Sequence, residues 1–149
     1  MPNEAKTGIG HDEAMLAGCV SLFEKVPRLR LESASGHAPD ERGVYGLYWR
    51  NELVYVGKAV GTTRLRRRLR EHAKKIGGRQ GISVADMEYR ALSLRDDWMV
   101  VAAESALIEK YKPEWNGSGF GSHVPGKGRP GIRPVRWDER FPHKVPRGG

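Results

Sequence analysis

Gly43-Val44-Tyr45-Gly46-Leu47-Tyr48-Trp49, then Arg50-Asn51-Glu52, then Leu53-Val54-Tyr55-Val56-Gly57 reads as two short aromatic and β-branched runs parted by a few polar residues. That pattern predicts a β-hairpin. Strand alternation places Tyr45, Leu47 and Trp49 on one face of the first strand, with Val44, Gly46 and Tyr48 on the other. Gly57 is expected to close the second strand.

Residues 1–10 carry no periodic pattern and are expected to form a loose terminus. A helix follows, with Asp12 as N-cap, Met15, Leu16, Cys19, Val20 and Phe23 at helical steps, and Pro27 ending it. Residues 32–42, rich in Ser, Gly, Ala and Pro, read as a connecting loop, so 11–42 is taken as helix plus loop. Beyond the hairpin, Thr63 to Ile76 has a helical pattern with Leu65, Leu69 and Ile76 inward. Thr62 or Thr63 would cap it and Gly77-Gly78 would stop it. A third strand is expected over Ala85–Leu92, where Met87, Tyr89 and Ala91 alternate with charges, and a helix from Asp96 to Tyr111 before Pro113. After Asn116 the chain turns to Gly, Pro and Arg, with Phe120, Trp137 and Phe141 as isolated apolar anchors. This stretch reads either as an arm laid on the domain or a ligand, or as free disorder. The class is therefore α+β, a small antiparallel sheet flanked by helices, with an N-terminal helix and a C-terminal arm over 118–149 belonging to the same domain.

At 149 residues the chain suits one domain. No apolar run nears the ~20 residues that cross a bilayer, and no basic-plus-apolar leader precedes Met15, so no membrane partner and a cytoplasmic location are expected. Cys19 is the only cysteine, which excludes an internal disulfide and a thiolate zinc cluster within the chain. Any metal would need oxygen or imidazole ligands. A formal charge of +8 predicts a polyanionic partner. The arginines are concentrated at Arg64, Arg66, Arg67, Arg68 and Arg70, and basic residues recur at Lys127, Arg129, Arg133, Arg136 and Arg140 in the tail.

Arg68 and His72 stand four residues apart on one helix face, either as solvated surface or as a pair addressing one phosphate. Glu104 lies in Val101-Ala102-Ala103-Glu104-Ser105-Ala106-Leu107-Ile108, where a carboxylate needs a partner. That partner is either an arginine in a structural ion pair or a Mg²⁺ ion. Tyr45 and Tyr55 are core aromatics, or phenols that orient or deprotonate water. The second role needs a pKa well below about 10, helped by a cation such as Lys58.

Gly43-Val44-Tyr45 and Tyr55-Val56-Gly57 resemble the two signatures of the GIY-YIG nucleases, each with valine for the central isoleucine. Arg68, His72, Glu104 and Asn116 match the family's later positions in order over residues 42–117. The tail from Trp115-Asn116-Gly117 through Gly128-Arg129 and Trp137-Asp138 is similar to the restriction-endonuclease branch. The resemblance implies a catalytic core over 43–117 with the active site at one face of the sheet, and Mg²⁺ (or Mn²⁺) held by Glu104. It implies Tyr45 as the group that aligns or deprotonates water, with Tyr55, His72 and Lys58 assisting, Arg68 on the scissile phosphate, and Asn116 as a supporting hydrogen-bonding residue. The alternative for Asn116 is capping the turn after Lys112-Pro113. The branch implies a homodimer cutting double-stranded DNA at a GC-rich palindrome such as CCGCGG, with a cognate DNA methyltransferase in the same cell. Arg64, Arg67, His123, Lys127, Arg129, Arg133 and Arg136 are the candidate DNA contacts. A repair or structure-specific nuclease and a non-catalytic DNA-binding protein are the rival readings.

Overall fold

The computed structural model describes residues 10–121 and 136–145. An antiparallel four-stranded sheet, in spatial order β1-β4-β2-β3, forms its middle layer. The strands are β1 (Leu29–Arg30), β2 (Gly43–Trp49), β3 (Glu52–Ala59) and β4 (Met87–Ser93). The helices are α1 (His11–Lys25), α2 (Ala34–His37), α3 (Leu65–Gly77), α4 (Asp97–Tyr111) and α5 (Arg136–Arg140). Residues of α2, α3 and α5 pack on the sheet face that carries Tyr45, Leu47 and Trp49. Residues of α1 and α4 pack on the face that carries Val44 and Val56. The expected α+β class is borne out. Because both faces are covered, all seven residues of β2 are buried, although only one face looked apolar by alternation.

The hairpin turns on Arg50 and Asn51 alone, at φ 54° and 66°. Two successive left-handed residues give the twist that matches paired strands. The Arg50 guanidinium lies 4.3 Å from the Trp49 ring centroid, which favours a residue otherwise ill-suited to that conformation. Glu52 is thereby released from the turn to pair with Trp49, and β3 runs past Gly57 to Ala59.

Three expectations of local structure need correction. The supposed loop at 32–42 contains a 3-10 turn, Leu31–Ser33, and α2, because Leu31, Ala34 and Ala38 recur at near-helical spacing and are buried. Helix α1 starts from Gly10 rather than Asp12, and the Glu13 carboxylate accepts the Gly10 N–H at 3.3 Å. Helix α3 starts after Arg64 and uses neither threonine side chain as a cap. Its first N–H groups go to backbone carbonyls of the segment before β2, Leu65 to Glu41 at 2.8 Å and Arg66 to Pro39 at 3.0 Å.

On α1, Cys19 and Phe23 are buried, while Met15 turns outward and is 48% exposed. The Cys19 sulfur lies 3.3 Å from that of Met99, and burial pushes its thiol pKa up, as befits a packing residue. No helix among the described residues is long and apolar enough to cross a membrane.

The described part of the tail lies on the domain. Phe120, Trp137 and Phe141 are each at most 2% exposed, in one cluster with Trp49 and Trp115. Arg79 fastens it: its guanidinium meets Asp138 at 2.8 Å, donates to the Phe141 carbonyl at 2.9 Å, and lies over the Trp137 ring. Backbone bonds from Gln80 to Pro142 and from Lys144 to Gly78 close the contact. Arg79→Met should cost roughly 2 kcal/mol, less than the roughly 3–5 kcal/mol of a fully enclosed pair, since released Asp138 can regain water. Thermal unfolding should shift down by about 4–8 °C; an unchanged midpoint would remove Arg79 as the fastening.

Candidate active site

Strand β3 is a sheet edge, and the cleft forms around it. An open cavity of about 680 Å³ is lined by Tyr55, Lys58, Arg67, Arg68, Glu104 and Gly121 among others. Tyr55 belongs to the cluster under α3, whereas Val56 packs with α4. Alternation therefore places Lys58 on the α4 side. The site thus wraps a sheet edge, drawing groups from both layers, rather than lying on one face as expected.

Helix α3 supplies Arg68 and His72, 9% and 3% exposed, so neither is solvated helix surface. Arg68 also meets Glu71 at 3.6 Å. The hydroxyl of Tyr45 lies 2.5 Å from His72 Nε2, and the Tyr45, Tyr55 and His72 rings pack together with centroids 5.5–6.2 Å apart. Tyr45 pairs with Gly57 across the ladder. A Cβ on Gly57 would sit 2.4 Å from the Tyr45 hydroxyl oxygen, so only glycine leaves room for that phenol. This is the physical demand behind the glycine of Tyr55-Val56-Gly57.

Tyr45 does not reach the cleft. It is wholly buried, and Tyr55 is the tyrosine that lines the cavity. Burial, with Tyr55 nearby, pushes the Tyr45 pKa far above the usual range; the Arg68 cation opposes this and the Glu104 charge adds to it. The Tyr55 pKa is raised as well, chiefly by burial. Burial thus moves both phenols away from the lowered pKa that a tyrosine base requires.

Glu104, with its side chain 16% exposed, finds its partner in Lys58: Nζ donates to Oε1 at 3.0 Å. Among the described residues no three His, Cys, Asp or Glu side chains group together as a metal cluster would. The ammonium ion answers the demand of a half-enclosed carboxylate for positive charge. Glu109 on the same helix is 84% exposed and ordinary surface.

The side-chain hydrogen bonds of Asn116 go to Val56 rather than to Tyr45 or the preceding turn. Its Oδ1 accepts the Val56 N–H and its Nδ2 donates to the Val56 carbonyl, both at 2.9 Å. With Trp115 N–H on the Val54 carbonyl at 2.8 Å, it continues the sheet beyond its edge strand.

Among the candidate DNA contacts, Arg67 lines the cleft with 65% of its side chain exposed. Arg64 donates to the Gly61 and Thr63 carbonyls and borders a separate groove with Arg42 and Arg95. Arg136 is exposed and donates to the Gly117 carbonyl. His123, Lys127, Arg129 and Arg133 lie outside the described residues. Sequence reasoning missed the Phe120-Gly121 step, which closes the cleft against Tyr55 and His72; a lone aromatic beside a glycine carries no local signal of that contact.

Two measurements follow from this geometry. Because burial disfavours phenolate, Tyr45→Phe should leave the phenolate absorbance titration of the folded protein unchanged as pH rises past about 10; a missing titration step would contradict the enclosed phenol. Asn116→Asp keeps shape but sets an acceptor against the Val56 carbonyl, and should cost about 2 kcal/mol in denaturant unfolding. Full stability in that variant would dismiss the edge contact.

The family model described as the Eco29kI GIY-YIG domain matches residues 49–145, more than half of the chain and including the tail. No curated protein is significantly similar. Among solved structures, the chain is similar to the GIY-YIG N-terminal endonuclease domain of UvrC from Thermotoga maritima. In a point mutant bound to its catalytic divalent cation the identity is 28%, covering 58% of this chain and 94% of that one, with a TM-score of 0.46. In the magnesium-bound form the identity is 30%, the coverage 58% and 94%, and the TM-score 0.44. On the match of the family model, this chain belongs to the Eco29kI GIY-YIG domain family, within the GIY-YIG nucleases.

Proposed function

We propose that the chain is a divalent-metal-dependent DNA endonuclease, a type II restriction enzyme that hydrolyses phosphodiesters by direct attack of water. The observation that carries this reading is a cleft in which Arg68, Lys58, Glu104 and Tyr55 converge above the Tyr45–His72 pair, on a chain of charge +8. Arginine fork, carboxylate and hydroxyl are the parts that phosphoryl transfer needs: a charge clamp, a metal ligand and a water-orienting group.

The donor set fits one hard cation. Mg²⁺ or Mn²⁺ binds through one or two carboxylates, with water and phosphate oxygens completing its shell, and of the two carboxylates that line the cleft Glu104 is the proposed ligand, Glu71 being paired with Arg67 and Arg68. When bound, the metal supplies charge stabilisation at the phosphate and the leaving oxygen. Arg68 binds the scissile phosphate and offsets its growing negative charge. Tyr55, which reaches the cleft, orients the attacking water, and Tyr45 and His72 beneath it form the proton path; Lys58 contributes positive charge beside them. Neutralising Glu104 removes a charge that raises both phenol pKa values, so occupation of the carboxylate acts in the direction the tyrosines require. Asn116 holds the strand that carries Tyr55 and Lys58. Water adds to phosphorus, the bond to the 3′ oxygen breaks, and that oxygen takes a proton, leaving 5′-phosphate and 3′-hydroxyl ends.

For target choice, Arg67 beside the cleft, Arg64 and Arg136 nearby, and His123, Lys127, Arg129 and Arg133 of the tail are the proposed DNA contacts. Arginine pairs with guanine edges in the major groove, which suits a GC-rich palindrome such as CCGCGG. A palindrome calls for two symmetry-related sites and hence a homodimer, and a cognate methyltransferase would protect the host DNA.

Plasmid DNA incubated with the protein and Mg²⁺ should give a ladder of discrete fragments whose mapped ends define the site. Cutting confined to branches or lesions would redirect the reading to a structure-specific enzyme. Glu104→Gln should lower cleavage by about a thousandfold or more while DNA binding persists or tightens, one negative charge having left the cleft. Unimpaired turnover in that variant would refute the metal assignment.

A further inference from the structure

The tail meets the site at two points that no reading of the catalytic set includes. The Phe120 ring stacks on His72 at 4.8 Å and 23°, and stands edge-on to Tyr55 at 4.9 Å and 73°. A Cβ built on Gly121 would lie 2.2 Å from the Tyr55 hydroxyl oxygen and 3.1 Å from its ring carbon, so bare backbone borders that hydroxyl. Lys75, one turn after His72 on α3, donates to the Phe120 carbonyl at 2.6 Å. Ser118 accepts the Phe120 N–H at 3.3 Å, while Trp115 and Trp137 enclose the ring with centroids 4.9 and 4.8 Å away. Phe120 is 1% exposed and fixed from every side.

An aromatic that merely filled the core would have no need to contact two rings of the proton path at once, nor its neighbour to border the hydroxyl beside the cleft. We infer that Phe120 and Gly121 are positioning residues for cleavage: Gly121 sets where the Tyr55 hydroxyl can stand, and Phe120 sets the plane of the His72 ring. The tail is thereby part of the catalytic apparatus as well as a DNA-contacting arm. This rests on the proposed roles of Tyr55 and His72. Gly121 acts through an oxygen atom, so its effect depends on that oxygen. Phe120 acts through imidazole orientation, so its effect appears in the pH dependence of the chemical step.

The test is a double-mutant cycle in single-turnover cleavage of plasmid DNA with Mg²⁺. Gly121→Ala should slow cleavage by about a hundredfold at unchanged DNA affinity, the loss typical of a displaced reacting group. In a Tyr55→Phe background, which removes the obstructing oxygen, the same change should add little; a full, multiplicative loss there overturns the inference, as does wild-type cleavage by Gly121→Ala. Phe120→Leu should displace the pH–rate profile, whereas Phe141→Leu, equally buried in the same cluster but away from His72, should leave it in place. Equal profiles for the two variants overturn the role of Phe120 even where Gly121→Ala does not fold. Absence of metal-dependent cleavage by the wild-type chain, or full activity of Tyr55→Phe, would instead refute the proposed function beneath it.

Discussion

The amide of Asn116 grips one peptide unit, giving to the Val56 carbonyl and taking from its N–H, while Trp115 holds the Val54 carbonyl beside it. Strand β3 is the outer strand of the sheet, and without these bonds its outward N–H and C=O groups would go unpaired against packed protein. The residues whose geometry matters most hang from this segment: Tyr55 one step before Val56, Gly57 and Lys58 just after. The same bonds fix the chain as it leaves α4, which carries Glu104, and deliver it to Phe120. A side chain that resembles a catalytic amide by its position in the sequence thus acts first as an extension of the sheet.

That edge also explains how a small domain combines an apolar pocket with a charged cleft. Under α3, the phenols, His72 and Phe120 exclude water and hold one another by ring contacts and a hydrogen bond. On the α4 side, Lys58 and Glu104 keep partial access to solvent. Arg68 bridges the two environments, buried at its stem and facing the cleft. The aromatic cluster of Trp49, Trp115, Phe120, Trp137 and Phe141 joins the tail to this arrangement without any disulfide.

Local features were legible from the residues. The hairpin followed from alternation, Arg68 and His72 shared a helix face because of their spacing, and Glu104 stood out as a carboxylate among small apolar neighbours. Contacts across the fold were not. Nothing near Glu104 in the chain names Lys58 as its partner, since the two meet only when α4 packs beside β3. The bonds from Asn116 to Val56 depend on which strand lies at the edge, a property of sheet order. Tyr45 looked like a candidate for the attacking water because its depth, set by Gly57 opposite and by α3 above, leaves no trace in the neighbouring residues. The segment 31–38 hid its helical turns behind a loop-like composition, and Phe120-Gly121 looked like a tail.

The start of α3 has a consequence for how this molecule forms. Its first turn is completed by carbonyls of Pro39 and Glu41, on the far side of the hairpin in the sequence. A short peptide spanning the helix alone lacks those acceptors and must nucleate at the usual entropic cost. The helix bearing Arg68 and His72 therefore has its first turn completed in a structure where β2 and β3 are paired, Gly43 against Ala59, which sets residues 39–41 alongside. The placement of Arg68 and His72 is thus a product of chain closure, and the helix sequence by itself does not contain the contacts that complete its first turn.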